Sequence, residues 1–155
     1  MRNMATGLLI AGLCAGTACS SAPRLVEHIN PSGLAKPTGY THVVEVSGGR
    51  TLYVSGQVAL DQAGNLVGKG DFSAQTRQVF ENLKTAVASG GGTLDDVVKI
   101  TIFTTDASQI QAFREIRDSY FTKAPPASSF MQVERLAQPD LLIEVEAVAV
   151  VAAAR

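Results

Sequence analysis

Apolar residues recur along residues 72–87 with the spacing of one face of an α-helix. The stripe consists of Phe72, Thr76, Val79, Phe80, Leu83, Ala86 and Val87. Asp71 precedes the stripe as an N-cap, and Gly90 follows Ser89 at the position where a left-handed residue commonly ends a helix. The pattern therefore predicts a first helix that begins after Asp71 and ends at Ser89.

A second helical stripe follows Asp106. Its buried positions are Ile110, Phe113, Ile116, Tyr120 and Phe121. Gln109 has capping-box spacing from Asp106, and the prolines of residues 124–126 cannot continue a helix. We expect Arg114 and Arg117 on this helix to face solvent.

Six segments rich in apolar and β-branched residues predict strands. They are Leu25–Asn30, Thr41–Val46, Thr51–Val58, Val97–Thr105, Ser128–Leu136 and Leu141–Val151. Residues 47–49, Ser-Gly-Gly, predict a hairpin between the second and third strands, and Gly56 predicts a bulge or a close backbone approach. The order β-β-β-α-β-α-β-β, without an internal repeat, predicts one two-layer α+β sandwich whose helices cover one face of the sheet.

The opposite face of that sheet has no helix to cover it. We expect apolar side chains there, namely Val97, Phe103, Leu142, Val148 and Val150. An apolar sheet face of this kind predicts self-association.

Charge and histidine content exclude several classes of function. The 13 Lys+Arg and 14 Asp+Glu give a formal net charge of -1, with no basic block to indicate a nucleic-acid or anionic-lipid surface. His28 and His42 have no second imidazole or thiolate at ligand spacing, so the sequence indicates no metal site.

The N-terminal segment has the composition of an export signal. Residues 1–18 contain one base, no acid and an apolar core of signal-peptide length. Cys19 follows Gly-Thr-Ala as in a lipoprotein box, although Gly16 occupies the usual Leu position; cleavage after Ala18 or Ala22 is the alternative. We expect an exported protein, periplasmic or anchored to the membrane through Cys19, with the first strand in residues 19–36 and the main domain in residues 37–155.

Glu144 and Glu146 are the carboxylates with the clearest potential for chemistry. Residues two apart on a strand share one face, about 7 Å apart, and these two interrupt the apolar run Leu141–Val151. A carboxylate on a central strand requires a hydrogen-bond partner or a function. A solvated face paired with Lys or Arg is the alternative. Ser128 and Ser129 supply hydroxyls, but no neighbouring His or Lys in the sequence activates them.

Several motifs together resemble the RidA/YjgF family over residues 25–151. They are Gly39-Tyr40, Val54-Ser-Gly-Gln57, Asp71–Leu83, Val97–Phe103, Pro126-Ala127 and Ile143–Ala149. The resemblance implies a chorismate-mutase-like fold and a homotrimer whose sheets line a central barrel, with ligand clefts between subunits. It also implies hydrolysis of 2-imino acids to 2-keto acids and ammonia, without a metal or an organic cofactor.

The resemblance further implies roles for individual residues. Glu144 matches the Glu that positions the attacking water, and Tyr40, Ser55 and Gly56 match the lining of the substrate pocket. The family Arg that grips the substrate carboxylate is replaced here by Ser128.

The sequence therefore predicts an exported RidA-family protein that binds a small molecule between subunits, with little imine deaminase activity because Ser128 replaces the Arg. The bound molecule would be neutral or cationic, or a carbonyl compound. The alternative is a 2-iminobutanoate/2-iminopropanoate deaminase in which Arg114 or Arg135 supplies the missing cation. RNA binding or cleavage is a third reading, which the charge balance and the export signal oppose.

Overall fold

The computed structural model of the protein describes residues 25–153. The predicted signal segment of residues 1–18 and the predicted lipid acceptor Cys19 lie outside the described residues. Within the described part, no helix combines the length and apolar character needed to cross a membrane.

Residues 25–153 form six strands and two α-helices. They are β1 (Val26–Ile29), β2 (Val43–Val46), β3 (Arg50–Val58), α1 (Phe72–Ser89), β4 (Val97–Thr104), α2 (Ile110–Tyr120), β5 (Ala127–Gln132) and β6 (Ile143–Val151). A four-stranded sheet has the order β3-β6-β4-β5, with β6 antiparallel to both neighbours and β5 parallel to β4. The two helices pack on this sheet, so the predicted α+β class is confirmed.

The core lies between α1, α2 and one face of the four-stranded sheet. Alternate residues of each central strand face the helices, because successive side chains on a strand point to opposite faces. The fully buried contributors include Ile100, Ile102, Ile143, Val145, Val79, Phe80 and Leu83. The helical stripe read from the sequence is thus buried in α1 except at Ala86, which is half-buried, and the structure adds the buried Gln75 to it.

The predicted hairpin between the second and third strands is wrong. β2 pairs with β1 in a separate two-stranded sheet, and β3 pairs along its length with β6. The intervening glycines explain the difference. Gly48 and Gly49 both have positive φ, and a Cβ at Gly49 would lie 2.6 Å from the carbonyl oxygen of Val151. The turn therefore crosses the end of β6 and carries the chain from one sheet to the other.

The uncovered face of the sheet is less apolar than the sequence predicts. Val97 and Val150 are both 3% exposed, and Leu142 packs against the core. A register shift after Val97 turns it toward the helices, and Val150 lies beside Gly49 and Leu25. Phe103 and Val148 are half-buried on the uncovered face, and Leu142 is half-buried against the core.

Several element ends also differ from the prediction. Asp106 caps a short 3-10 turn, Ala107–Gln109, and α2 begins after it at Ile110. At the end of α1 the left-handed residue is Gly91, with φ of 82°, whereas Gly90 has φ of -87°. The last two strands are shorter than predicted, because residues 133–136 leave the sheet and β6 begins at Ile143.

Candidate functional site

Glu144 lies against the bare backbone of Gly56. The β3–β6 ladder shifts register between Val54 and Gln57, which confirms the predicted bulge at Gly56. A Cβ at residue 56 would lie 1.7 Å from Oε1 of Glu144. The bulge and the missing side chain together make the space that the Glu144 carboxylate occupies.

Two causes make the Glu144 carboxyl a weaker acid than usual. Partial burial, and then the charge of Glu146, raise the pKa of Glu144 above the ordinary value of 4.5. A raised carboxyl pKa brings proton acceptance and release closer to neutral pH, as general acid–base catalysis requires. Glu146, two residues along the strand, is exposed.

Lys99 and Ser129 form a polar pair on the uncovered face. Lys99 Nζ donates a hydrogen bond of 2.8 Å to Ser129 Oγ, and burial lowers the pKa of Lys99. The sequence reasoning missed this contact, because residues 30 apart become neighbours only through the parallel pairing of β4 and β5. The exposed Ser55 lies on the same face, in a concavity that Lys99, Tyr53 and Glu146 also line.

Tyr40 and Ser128 are brought together at the other face of the sheet. The main chain of Thr41 donates to the carbonyl oxygen of Pro126, and its hydroxyl donates to that of Pro125. These bonds fix the segment of Tyr40 beside the start of β5, where Ser128 pairs with Ile100. Ser128 consequently faces the helices, whereas Ser129 faces the opposite side.

A cavity of about 150 Å³ separates Tyr40 and Ser128 from helix α2. Its polar lining also includes Arg114, Arg117 and Thr38, with Ile110, Phe113 and Phe130 as its apolar walls. The prediction that Arg117 faces solvent is wrong, since this residue is 4% exposed; Arg114 is half-buried. The helical spacing indicated this burial, because Arg117 is four residues after the buried Phe113 and three before Tyr120, and so lies on the same face of the helix.

The sequence-predicted site residues therefore form two groups. Glu144, Gly56 and Ser55 form one group at the β3–β6 pair. Tyr40 and Ser128 form the other beside α2. Glu144 pairs with Phe103, Phe103 pairs with Met131, and Ser128 precedes Met131 by three residues. Strand spacing and rise place Cα of Glu144 and Cα of Ser128 roughly 14 Å apart. Their side chains lie on opposite faces, so one chain cannot present both to the same small molecule.

Among residues 25–153, no group of three or more His, Cys, Asp or Glu side chains is arranged to hold a metal ion. Arg135 is one of the two arginines that the sequence analysis offered as a replacement cation. It is exposed in the segment after β5. Arg114 is the other proposed replacement, and it does line the cavity of Ser128.

Comparison with known proteins gives a consistent set of relatives. A family model described as Endoribonuclease L-PSP matches residues 32–151. The 3-aminoacrylate deaminase RutC of Acinetobacter baylyi is 37% identical over 123 residues, which are 79% of this chain and 96% of that protein. A RutC family protein of Pyrococcus horikoshii is 36% identical over 124 residues, 79% of this chain and 96% of its own.

Two solved structures show the same fold. The Rid family protein YyfB of Yersinia pestis superposes with a TM-score of 0.78 at 39% identity, covering 83% of this chain and 100% of its own. RidA of an Antarctic Psychrobacter gives a TM-score of 0.62 at 32% identity, covering 76% of this chain and 92% of its own.

Proposed function

Because this chain belongs to the RidA/YjgF family, the one whose model is described as Endoribonuclease L-PSP, we propose that it hydrolyses a small enamine or imine acid. The products are ammonia and the corresponding carbonyl acid. The observation that carries the proposal is the Glu144 carboxylate, held against Gly56 with a raised pKa. A relative with 37% identity is named for deamination of 3-aminoacrylate, an enamine acid.

The proposed chemistry uses water and one carboxylate. Ionised Glu144 accepts a proton from a water molecule as the water oxygen bonds to the imine carbon, and the C=N bond becomes a C–N single bond. Glu144 passes this proton to the nitrogen, which gives a carbinolamine with an –NH2 group. The hydroxyl proton of the carbinolamine then moves to the nitrogen through Glu144, the C–N bond breaks, and ammonia leaves as the carbonyl forms. An enamine acid first becomes the imine by gaining a proton at carbon and losing one from nitrogen. No electron transfer is involved, so the reaction requires no redox cofactor.

We propose that the complete site forms between copies of the chain. Glu144 and the cavity of Ser128 lie on opposite faces of one sheet, and a second copy can bring its own cavity against the first copy's Glu144. The resemblance to the RidA family favours a trimer with clefts between subunits. The uncovered sheet face supports the assembly, since Tyr53 is 84% exposed and Val148 lies beside it.

The deaminase proposal is tested by measuring ammonia release from 2-iminopropanoate and from 3-aminoacrylate, each generated in situ. We expect hydrolysis by the wild-type protein well above the spontaneous rate. Glu144→Gln removes the base and should lower kcat by at least about a hundredfold. Glu134→Gln is the matched control, because Glu134 is exposed in the segment after β5. Hydrolysis at the spontaneous rate by the wild type, or an undiminished Glu144→Gln variant, would refute the proposal.

We further propose that the protein is exported, on the basis of residues 1–18 alone. Their short apolar core and lack of acids are typical of a signal peptide. Cys19 is the proposed lipid acceptor if the segment is processed as a lipoprotein signal.

A further inference from the structure

Arg117 is a buried cation on the wall of the cavity that contains Ser128. Its side chain is 4% exposed, although it belongs to a helix whose other charged residues are accessible. The guanidinium lies directly on Gly39, where a Cβ would be 1.8 Å from Nη2. Gly39 also has φ of 76°, so its backbone conformation and its missing side chain both favour glycine there. The segment before Tyr40 is thus shaped around this arginine.

The charge of Arg117 is only partly compensated. Nε and Nη2 both donate to one oxygen of Asp118, Oδ1, at 3.0 and 2.8 Å. The Asp118 side chain is 62% exposed, so water screens its charge. Among the described residues, no hydrogen bond uses Nη1 of Arg117, and no carboxylate forms an ion pair with Arg114.

The lining of the cavity suits a small carboxylate. It contains two guanidinium groups, the hydroxyls of Tyr40, Ser128 and Thr38, and no acidic side chain. Its volume of about 150 Å³ equals that of about five water molecules at about 30 Å³ each, which is room for a three- or four-carbon acid. Phe113 and Phe130 form an apolar wall that would strengthen charge-assisted hydrogen bonds by excluding water.

The short side chain at position 128 and the buried arginine at position 117 are compatible with each other in this cavity. A long arginine at position 128 would enter a cavity already lined by Arg114 and Arg117, and three positive charges in one small cavity would repel each other. The short Ser128 hydroxyl leaves the cavity open for Arg117. The position on β5 where the family resemblance places a cation thus faces two arginines of α2 across the cavity.

We infer that Arg117, with Arg114 beside it, binds the carboxylate of the substrate in place of the residue at position 128. The inference rests on the proposed function for the identity of the substrate, a small 2-imino or enamine acid. Nε and Nη2 already donate to Asp118, so the pair of donors left for a carboxylate is Nη1 with the second N–H of Nη2. This role of Arg117 replaces the prediction that Ser128 leaves the site without a cation.

Binding of a 2-keto acid tests the inference without requiring catalysis. Pyruvate is titrated calorimetrically into the wild-type protein and into Arg117→Gln, with Arg135→Gln as the exposed control. We expect Arg117→Gln to weaken pyruvate binding at least tenfold, since a charge-assisted hydrogen bond is lost. Pyruvamide, which lacks the charge, should lose much less. An equal loss for both ligands would indicate a purely structural role and overturn the inference.

Three further variants protect the test against misfolding. Arg117→Lys keeps the charge and should retain part of the affinity, because the ammonium lacks the planar donor pair. Asp118→Asn keeps Arg117 and removes its competing anion, so pyruvate should bind more tightly. Ser128→Arg combined with Arg117→Gln should restore affinity lost by the single change. Weaker pyruvate binding to Asp118→Asn than to the wild type would contradict the inference.

The two proposals fail in different ways. If the wild type deaminates imino acids and Arg117→Gln does so with unchanged KM, the deaminase stands and the role of Arg117 is refuted. If pyruvate binding depends on Arg117 and no imino acid is hydrolysed, the carboxylate site stands and the deaminase is refuted. If pyruvate does not bind at all, the carboxylate site is refuted.

Discussion

Replacing Gly56 by alanine is a minimal perturbation of the proposed base. A Cβ at this position would lie 1.7 Å from Oε1, 2.6 Å from Cδ and 2.9 Å from Cγ of Glu144. All three nearest atoms belong to that one side chain. Since ordinary heavy-atom contacts are about 3.5–4.0 Å, the carboxylate must withdraw by about 2 Å.

This displacement sets the expected magnitude. A misplacement of about 1 Å at a catalytic group can lower the rate about a hundredfold. We therefore expect Gly56→Ala to lower kcat by at least about a hundredfold, equivalent to about 2.7 kcal/mol of transition-state stabilisation. The fold should persist, because the methyl group displaces the end of a flexible side chain and Gly56 does not have positive φ.

The assay is ammonia release from 2-iminopropanoate at saturating substrate, with thermal unfolding measured in parallel. Gly33→Ala is the matched control, because a Cβ at Gly33 meets nothing within 4 Å and its φ is not positive. We expect the control to be as active as the wild type. Full activity of Gly56→Ala, with an unchanged melting temperature, would show that the position of Glu144 does not matter and would refute the reasoning.

Three other predictions address the pH profile, the assembly and the processing of the chain. The charge of Glu146 raises the pKa of Glu144, and activity requires ionised Glu144. Glu146→Gln should therefore move the acidic limb of the kcat profile to lower pH; a shift to higher pH would contradict this. Light scattering on the purified protein should give three times the mass of one chain, and a stable monomer at micromolar concentration would contradict the shared site. Intact mass should show loss of residues 1–18, with a diacylglycerol increment if Cys19 is lipidated; retention of Met1 in a cytoplasmic fraction would refute export.

The elements with strong periodicity could be predicted from the sequence. The buried stripe of α1 is regular enough to identify both its length and its inner face. The run Ile143–Val151 likewise identifies the central strand. The pairing of the strands could not be predicted in this way, because each strand pairs with a partner far along the chain. β3 pairs with β6, about ninety residues later. The local pattern at residues 47–49 favours a hairpin instead, and nothing near it in the sequence indicates the distant partner.

The candidate site shows the same limit. Glu144 and Gly56 could be singled out separately, the first as a carboxylate in an apolar strand and the second as a glycine in a strand. Their contact depends on the bulge and on the register of β3 with β6. The contact of Lys99 with Ser129 depends in the same way on a parallel pairing.

Arg117 shows how charge can conceal a buried position. A charged residue is usually assigned to the exposed face of a helix. Arg117 was assigned to solvent for this reason, although its spacing places it on the same face as Phe113 and Tyr120. Only the packing of the Gly39 segment on α2 shows that the guanidinium is enclosed. A buried arginine on a cavity wall is therefore a functional candidate that patterning alone assigns to solvent.

Complementation between two impaired variants, assayed at a substrate concentration below the wild-type KM, tests the central claim, a site shared by Glu144 of one copy and Arg117 of another. Glu144→Gln and Arg117→Gln proteins are mixed, dissociated and reassembled, and native mass confirms the mixed oligomers. Random mixing leaves both native residues at about one quarter of the subunit interfaces of a cyclic trimer. We predict recovery of a comparable fraction of wild-type deaminase activity. No recovery above the separate variants, in confirmed mixed oligomers, would contradict the account.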